Sequence, residues 1–285
     1  MFNTLTRMGA SAAGAYEIER SLRLNSDDDA YLRKNDYSSP DSGTTFTFSA
    51  WVKRSKLDNW FPIFGSQTGS NAFDMFGLSS NNRLIWRIRN SSSSDLTRIE
   101  SSALFRDTSS WYHFVLQRDS TQGSAGDRAK LYVNGQLITS FEQSNTDESS
   151  QSYSGDYLTD LQIGRGNTNS SNMHYADGYI AEVYYIDGQA LPASSFGETD
   201  DDTGQWVAKK YAGTYGSNGA YLNFSDNSGT TTTTLGKDSS GNSNNFTPNN
   251  FSVAAGAGND SLTDTPTNNF PTLNPLNNPV NSTLA

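Results

Sequence analysis

Residues 45–53 read Thr45-Phe46-Thr47-Phe48-Ser49-Ala50-Trp51-Val52-Lys53. In an extended chain successive side chains point to opposite faces. Phe46, Phe48 and Ala50 therefore share one face, and Thr45, Thr47 and Ser49 share the other. That alternation predicts a half-buried β-strand. Trp51 breaks it, placing a large ring on the side otherwise lined with hydroxyls.

Working outward, the same short-period signal recurs. Ser21–Leu24 and Ala30–Leu32 precede it, and Phe61–Phe64, Phe73–Leu78 and Leu84–Ile88 follow. Trp111-Tyr112-His113-Phe114-Val115-Leu116 is apolar on both faces, as in a strand buried between two layers. Asn134-Gly135 separates Lys130–Val133 from Gln136–Ile138. A type I′ turn needs φ > 0 at both central residues, so this pair predicts a hairpin. Asp160–Gly164 reads as another short strand. Asp187-Gly188 closes the apolar run Tyr179–Ile186 and predicts a second hairpin. No segment holds a 3.6-residue period, and the only helix candidate is a short turn at Ala193–Phe196, after Pro192. Many short strands without intervening long helices predict an all-β fold, an antiparallel two-sheet jelly-roll sandwich.

Composition supports that reading and excludes several functions. The 285 residues are 34% hydrophobic yet 12% aromatic, and mean hydropathy is −0.65. A disordered chain would lack the aromatics. A formal net charge of −10 repels phosphate backbones, so no nucleic-acid partner is expected. Without cysteine there is no disulfide and no thiolate metal site. No apolar run reaches the ~20 residues of a membrane span. The N-terminal residues lack a continuous apolar segment, so no signal peptide is expected.

The chain divides into an N-terminal arm at 1–15, a sandwich at 16–197, and an extended Pro/Asn-rich region at 198–285. Five of the eight prolines fall between Pro248 and Pro279. Ordering each residue costs roughly 1–2 kcal/mol, which so few apolar side chains cannot offset alone. Phe246, Phe251, Leu262, Phe270, Leu273 and Leu276 are spaced as anchors. They suit a strap lying on a neighbouring subunit; the alternative is a tail wrapped over its own sandwich.

Four motifs in order resemble the laminin-G-like and concanavalin-A-like lectin domains. They are Phe48–Val52, Trp111–Val115, Leu131–Gly135 and Gly178–Val183, covering roughly residues 20–190. Tyr16–Arg23, Phe196–Asp200, Trp206–Tyr211 and Asp264–Phe270 resemble proteins of marine bacteriophages that carry such a domain. The resemblance implies a virion structural protein displayed on the particle surface, as a decoration protein, a fibre or a tail-associated adhesin. It implies assembly in the bacterial cytoplasm, capsid, portal, tail or fibre subunits as partners, a homo-oligomer, and contact with host-surface carbohydrate. A soluble lectin is the alternative.

The same fold hosts glycosidases, which need two carboxylates about 5 Å apart in the retaining case. Glu17 and Glu19 have one-face spacing but lie at the N-terminal edge, and Glu182 stands alone in its strand. No Gly-x-Ser-x-Gly occurs. His113 lies within a strand and His174 in a polar loop, so no triad is assembled and no enzyme is expected. Calcium is the one cofactor to consider. Asp238, Ser240, Asn242 and Asn244 set oxygens at alternate positions, as a calcium loop would; an Asx-rich turn uses the same residues. Asp27, Asp28 and Asp29 read as a solvated loop. Sugar stacking requires aromatics in polar loops, and Trp60, Tyr153, Tyr157 and Tyr175 are the candidates.

Overall fold

The computed structural model describes residues 16–35, 43–67, 72–90, 92, 94–145, 160–169 and 172–269. Among them the strands in chain order are β1 (Ser21–Leu24), β2 (Tyr31–Lys34), β3 (Thr45–Arg54), β4 (Phe61–Gln67), β5 (Phe73–Leu78), β6 (Leu84–Arg89) and β7 (Asp95–Ser101). Next come β8 (Tyr112–Asp119), β9 (Ala129–Val133), β10 (Gln136–Leu137), β11 (Phe141–Asn145), β12 (Leu161–Ile163), β13 (Arg165–Asn169) and β14 (Asn172–Tyr175). The last are β15 (Gly178–Asp187), β16 (Gly197–Thr199), β17 (Trp206–Ala208), β18 (Ala220–Leu222), β19 (Thr247–Asn249) and β20 (Ser261–Leu262). Short 3-10 turns occupy Ser26–Asp28, Ala125–Asp127 and Ala193–Ser195.

Most of the strands form two large antiparallel sheets, and β13–β14 and β16–β17 form separate two-stranded ones. The first runs β10-β9-β8-β3-β15-β1-β20, with β18 also paired to β15. The second runs β11-β7-β6-β5-β4-β12-β2-β19. Between them lies the main core. Phe46, Phe48, Ala50 and Val52 of β3 meet Phe64, Phe76, Leu84 and Trp86 of the facing sheet. The rings of Phe48 and Phe64 are 4.6 Å apart. This is the sandwich predicted from the alternation at Thr45–Lys53.

The Asn134-Gly135 hairpin forms as expected, with φ of 45° and 78°. Asp187-Gly188 does not make one. Only Gly188 has positive φ, its amide bonds back to the Thr45 carbonyl, and the chain leaves toward Pro192. Asp187 instead accepts from the Asn218 amide at 3.2 Å. The two strand prolines sit where the ladder tolerates a missing donor. Pro62 lies at a bulge between Pro62 and Phe64, and Pro248 lies in β19 at a sheet edge.

The outer face of the first sheet carries a third layer, which the alternation alone did not foresee. Thr47 and Ser49, expected at solvent, are completely buried. The Thr47 hydroxyl donates to the Gln189 carbonyl at 2.8 Å and accepts the Leu191 amide at 2.7 Å. Above them Val115, Tyr184 and Ile186 pack with Phe196, Tyr211 and Tyr221. Trp51, Tyr179 and Ala181 pack with Ile18, Trp111 and Ala208, and Tyr16, Trp206 and Leu262 close the rim.

Most of this layer comes from the C-terminal region, which follows the second of the two readings, a tail wrapped over its own sandwich. Through Asn269 it belongs to the same chain's fold. β18, β19 and β20 extend both sheets, and Phe224, Leu235 and Phe246 enter the main core. Phe251 packs against that core and Leu262 against the outer-face cluster. Arg23–Asp260 and Lys53–Asp264, both buried pairs at 2.8 Å, pin it further. Phe270, Leu273 and Leu276 lie outside the described residues, as does the arm at 1–15.

Candidate functional site

Arg54, at the end of β3, is fully buried and organises three loops. One of its terminal nitrogens (Nη1) donates to Asn82 Oδ1 at 2.7 Å and to the Phe105 carbonyl at 3.1 Å, and Nη2 reaches the Asn59 carbonyl at 3.1 Å. Asn82 in turn donates to Asp58 Oδ1 at 2.8 Å and accepts the Asp58 amide at 3.0 Å. Burial draws the Arg54 pKa down to about 10, while Asp58 opposes the fall. A buried cation bonded to three loops fixes them relative to one another.

Over this hub opens a pocket of about 610 Å³. Its wall combines the hub residues Asp58 and Asn82 with Arg83, Arg98, Glu100, Arg106 and Glu142, and Leu104 supplies an exposed apolar patch. Glu100 accepts from Ser79 Oγ at 3.0 Å and from Arg98 at 3.2 Å. Arg83 holds the carbonyls of Ser101 and Ser102 and lies 3.5 Å from Glu142. Donors and acceptors are thus both presented on a framework that does not depend on a ligand, the usual character of a preformed small-molecule site.

The pocket and Trp60 share one face. Ile99 of β7 points into the core, so Arg98 and Glu100 point outward. Glu100 is the cross-strand partner of Ile85, and Ile85 packs with Phe73, Met75 and the half-buried Trp60. Beside them the β13–β14 hairpin covers the outer face of β4 and β5; a Cβ on Gly65 would meet the Arg165 carbonyl at 2.5 Å. His174 of the hairpin lies 5.7 Å from the Trp60 ring.

Tyr175, the next candidate, points away from Trp60. It meets Tyr31 edge-on at 6.0 Å, and Arg165 lies over both rings, at 4.5 Å from Tyr31 and 5.6 Å from Tyr175. Trp60 thus lies on the sheet face that carries the pocket, outside its wall, and Tyr175 packs with Tyr31 and Arg165. Tyr153 and Tyr157 lie outside the described residues.

The calcium candidates form a closed turn. Asp238 is buried, and its carboxylate accepts from the amides of Tyr221, Ser240 and Asn244 and from Ser240 Oγ, all at 2.8–2.9 Å. Asn242 donates to the carbonyls of Gly216 and Gly219 at 2.7 and 2.9 Å. Asn244 donates to those of Ser217 and Gly219 at 2.9 and 3.0 Å. Four donors converge on the carboxylate, the arrangement of an Asx turn and the opposite of a cation site. Among the described residues no group of three His, Asp or Glu could hold a metal ion.

Two titratable groups that the sequence places within strands, Glu182 and His113, are buried. Glu182 sits at a bulge in β15 with φ 51°, which turns its side chain into the third layer. Tyr16 and Tyr184 donate to its Oε2 at 2.7 Å, and Tyr221 lies 3.0 Å from both oxygens. Burial raises its pKa, against the stabilising tyrosine bonds. His113 stacks on Trp51, ring centre to ring centre 4.9 Å, and Trp206 lies beside it edge to edge, with ring centres 6.0 Å apart. The indole N–H of Trp206 donates to His113 Nδ1 at 3.0 Å. The proton of the neutral ring is then on Nε2, which donates to Ser49 Oγ at 2.8 Å. Burial alone depresses this pKa to about 3. Glu17 and Glu19 are exposed, on either side of buried Ile18.

The geometry defines an antiparallel lectin-type sandwich. Residues 25–195 match the Laminin_G_3 family, described as the concanavalin A-like lectin/glucanases superfamily. The chain belongs to that family. No curated protein matches the sequence. Among solved structures it is similar to a Bacteroides ovatus protein described as a candidate carbohydrate binding protein, at 16% identity and a TM-score of 0.51, over 82% of this chain and 59% of that one. It also resembles a SAP-like pentraxin of Limulus polyphemus, at 17% identity and a TM-score of 0.43, over 62% of this chain and 80% of that one. Domains LG4-5 of the mouse laminin α1 chain match at 12% identity and a TM-score of 0.41, over 61% of this chain and 44% of that one. The chain thus spans less than two thirds of the bacterial and laminin chains.

Proposed function

We propose that this chain is a non-catalytic glycan-binding protein that holds saccharide in the pocket above Arg54. The observation that carries this reading is the pocket itself, whose polar side chains are fixed by a buried arginine hub beside the half-buried Trp60. Hydroxyl-rich ligands need donors and acceptors together, with an apolar surface nearby. Leu104 supplies that surface in the pocket wall, and Trp60 extends it on the same sheet face outside the wall. The family and the carbohydrate-binding description of the Bacteroides ovatus protein point the same way.

Two carboxyls with raised pKa values are buried away from solvent, Glu182 among Tyr16, Tyr184 and Tyr221 and Asp260 against Arg23. In the pocket Glu100 is paired with Arg98, and Glu142 faces Arg83. A glycosidase needs a proton-carrying acid at the bond it breaks, and the pocket's partners favour binding over hydrolysis.

In this reading the protein is displayed on the surface of a bacteriophage particle, bound to capsid, portal, tail or fibre subunits as a homo-oligomer, and contacts host-surface carbohydrate. The likeness of Tyr16–Arg23, Phe196–Asp200 and Asp264–Phe270 to phage proteins supports the location. Glycan-array binding that drops at least tenfold in Arg106→Ala and Trp60→Ala is expected. An array on which wild type is flat would overturn the binding function. Mass spectrometry of washed particles tests the location separately, and absence of the chain would refute it.

A further inference from the structure

A second pocket, of about 570 Å³, opens in the C-terminal region, between the loop at 213–217 and the turn at 240–242. It lies within the roughly 300–1,000 Å³ range of small-molecule sites. Its chemistry differs from that of the first. Thr214, Tyr215, Ser217, Ser240, Asn242 and two glycines line it, and none of these is charged.

Tyr215 is half-buried, and its ring is held from behind. Tyr211 meets it edge-on at 5.3 Å, and Tyr221 stacks parallel to it at 6.5 Å with an interplanar angle of 15°. Tyr221 in turn stacks on Tyr184 at 4.4 Å. Tyr215 is therefore the outermost member of a row of rings anchored in β15. An aromatic face fixed at the wall of an uncharged pocket suits the C–H face of a sugar ring.

The polar groups are set by the turn that resembled a calcium loop. Both amide hydrogens of Asn242 are engaged by the Gly216 and Gly219 carbonyls, which leaves its Oδ1 as an acceptor. The Ser240 hydroxyl donates to Asp238 and accepts the Asn242 amide, and it keeps a second lone pair. Thr214 Oγ1 accepts from Gln189 at 3.2 Å, so its own proton is available to a ligand. The four donors on Asp238 hold this framework rigid.

From this we infer that the second pocket binds one ring of a neutral saccharide, stacked on Tyr215 and hydrogen-bonded by Thr214, Ser240 and Asn242. The lining offers no cation to an acidic sugar, and the side chains of Asp187, beside Gly216, and Asp238, bonded to Ser240, lie just behind it. The site is independent of the pocket over Arg54. If both are used, one chain contacts a polysaccharide at two points, and avidity exceeds either single affinity.

The test is an amide NMR titration of the full isotopically labelled chain with cellohexaose, mannohexaose and maltohexaose, and with an oligogalacturonate as the acidic probe. At least one neutral hexaose is expected to shift the amides of Thr214–Ser217, Ser240 and Asn242. Tyr215→Ala should weaken that binding at least tenfold, and Tyr215→Phe should retain it. Because Tyr215 also packs on Tyr211, the exposed Thr214→Val provides a second variant, with a severalfold loss expected and an unchanged spectrum elsewhere. Shifts confined to Arg83, Arg98 and Glu100, or none anywhere, overturn the inference. So does an oligogalacturonate that shifts the second pocket as strongly as the neutral sugars. Shifts at the second pocket with none at the first uphold it while refuting the role given to the first.

Discussion

His113 makes the stability of this fold depend on pH in a defined direction. The ring is buried, stacked on Trp51 and bonded at its edge by Trp206, and neutral, with a pKa of about 3 against an ordinary value of 6.5. The unfolded chain therefore binds a proton that the folded chain refuses. Stability is fully present above pH 6.5 and falls as the pH drops from 6.5 toward 3. One pKa unit corresponds to about 1.4 kcal/mol, so the full loss approaches 4–5 kcal/mol at pH 3 and is about 2 kcal/mol at pH 5.

Other groups titrate alongside. His174 is depressed by partial burial and acts in the same direction. Glu182 and Asp260 are raised by burial, so lowering the pH through their folded values relieves a cost and acts the opposite way. A difference measurement removes all three. Denaturant unfolding of wild type and His113→Gln would be followed from pH 8 to pH 5. The variant starts less stable, because Trp206 and Ser49 lose their ring partner. Its pH dependence, however, should be shallower than wild type by about 2 kcal/mol over that range. Parallel curves would show that His113 is reached by water or already charged, and would refute the reasoning.

Two further outcomes follow from the C-terminal region. A chain ending at Gly197 loses Tyr211, Tyr221, Phe224 and Phe246, so it should fail to unfold cooperatively; within the full chain Phe246→Ala should cost roughly 3–5 kcal/mol by calorimetry. Calcium or a chelator should shift the Tm by less than about a degree, since Asp238 already accepts four donors, whereas Asp238→Ala leaves those donors unmet and should cost at least about 1–3 kcal/mol.

The parts of the fold legible in the sequence are those fixed by local periodicity. Phe46, Phe48 and Ala50 face the core because strand pairing leaves them no other side. Asn134-Gly135 turns because two adjacent residues accept positive φ. Asp187-Gly188 carries the same signal and fails because its partner, Asn218, is distant in sequence. The third layer also left a trace. Trp51 interrupts a polar face, and Tyr179–Ile186 is apolar on both sides, which requires a cover on each. What covers them was not legible, since Trp206, Tyr211 and Tyr221 follow no strand or helix period. The pocket over Arg54 was hidden for a related reason. Asp58, Asn82, Arg98 and Glu142 come from separate loops and strands, and only tertiary pairing brings them together. Asp238–Asn244 was ambiguous in principle, because oxygens at alternate positions serve a cation or backbone amides equally well.

The family match ends at residue 195, whereas the folded unit continues to Asn269. The difference has a structural meaning. A sandwich ending there would expose Trp51, Val115, Tyr184 and Ile186 on the outer face of the first sheet, a contiguous apolar surface of the kind that drives association. The C-terminal region covers it with rings from the same chain. Trp206 fits tightly against two glycines: a Cβ on Gly135 or on Gly197 would lie 2.5 Å from its indole. The glycine that permits the β9–β10 turn therefore also admits the ring that caps His113. One face of the sandwich is thus sealed by packing, while the outer face of β6 and β7 keeps its charged side chains at a pocket. The division explains how a chain with few apolar residues after position 198 is folded through Asn269. Those residues do not build a core of their own; they complete one that the sandwich leaves half covered.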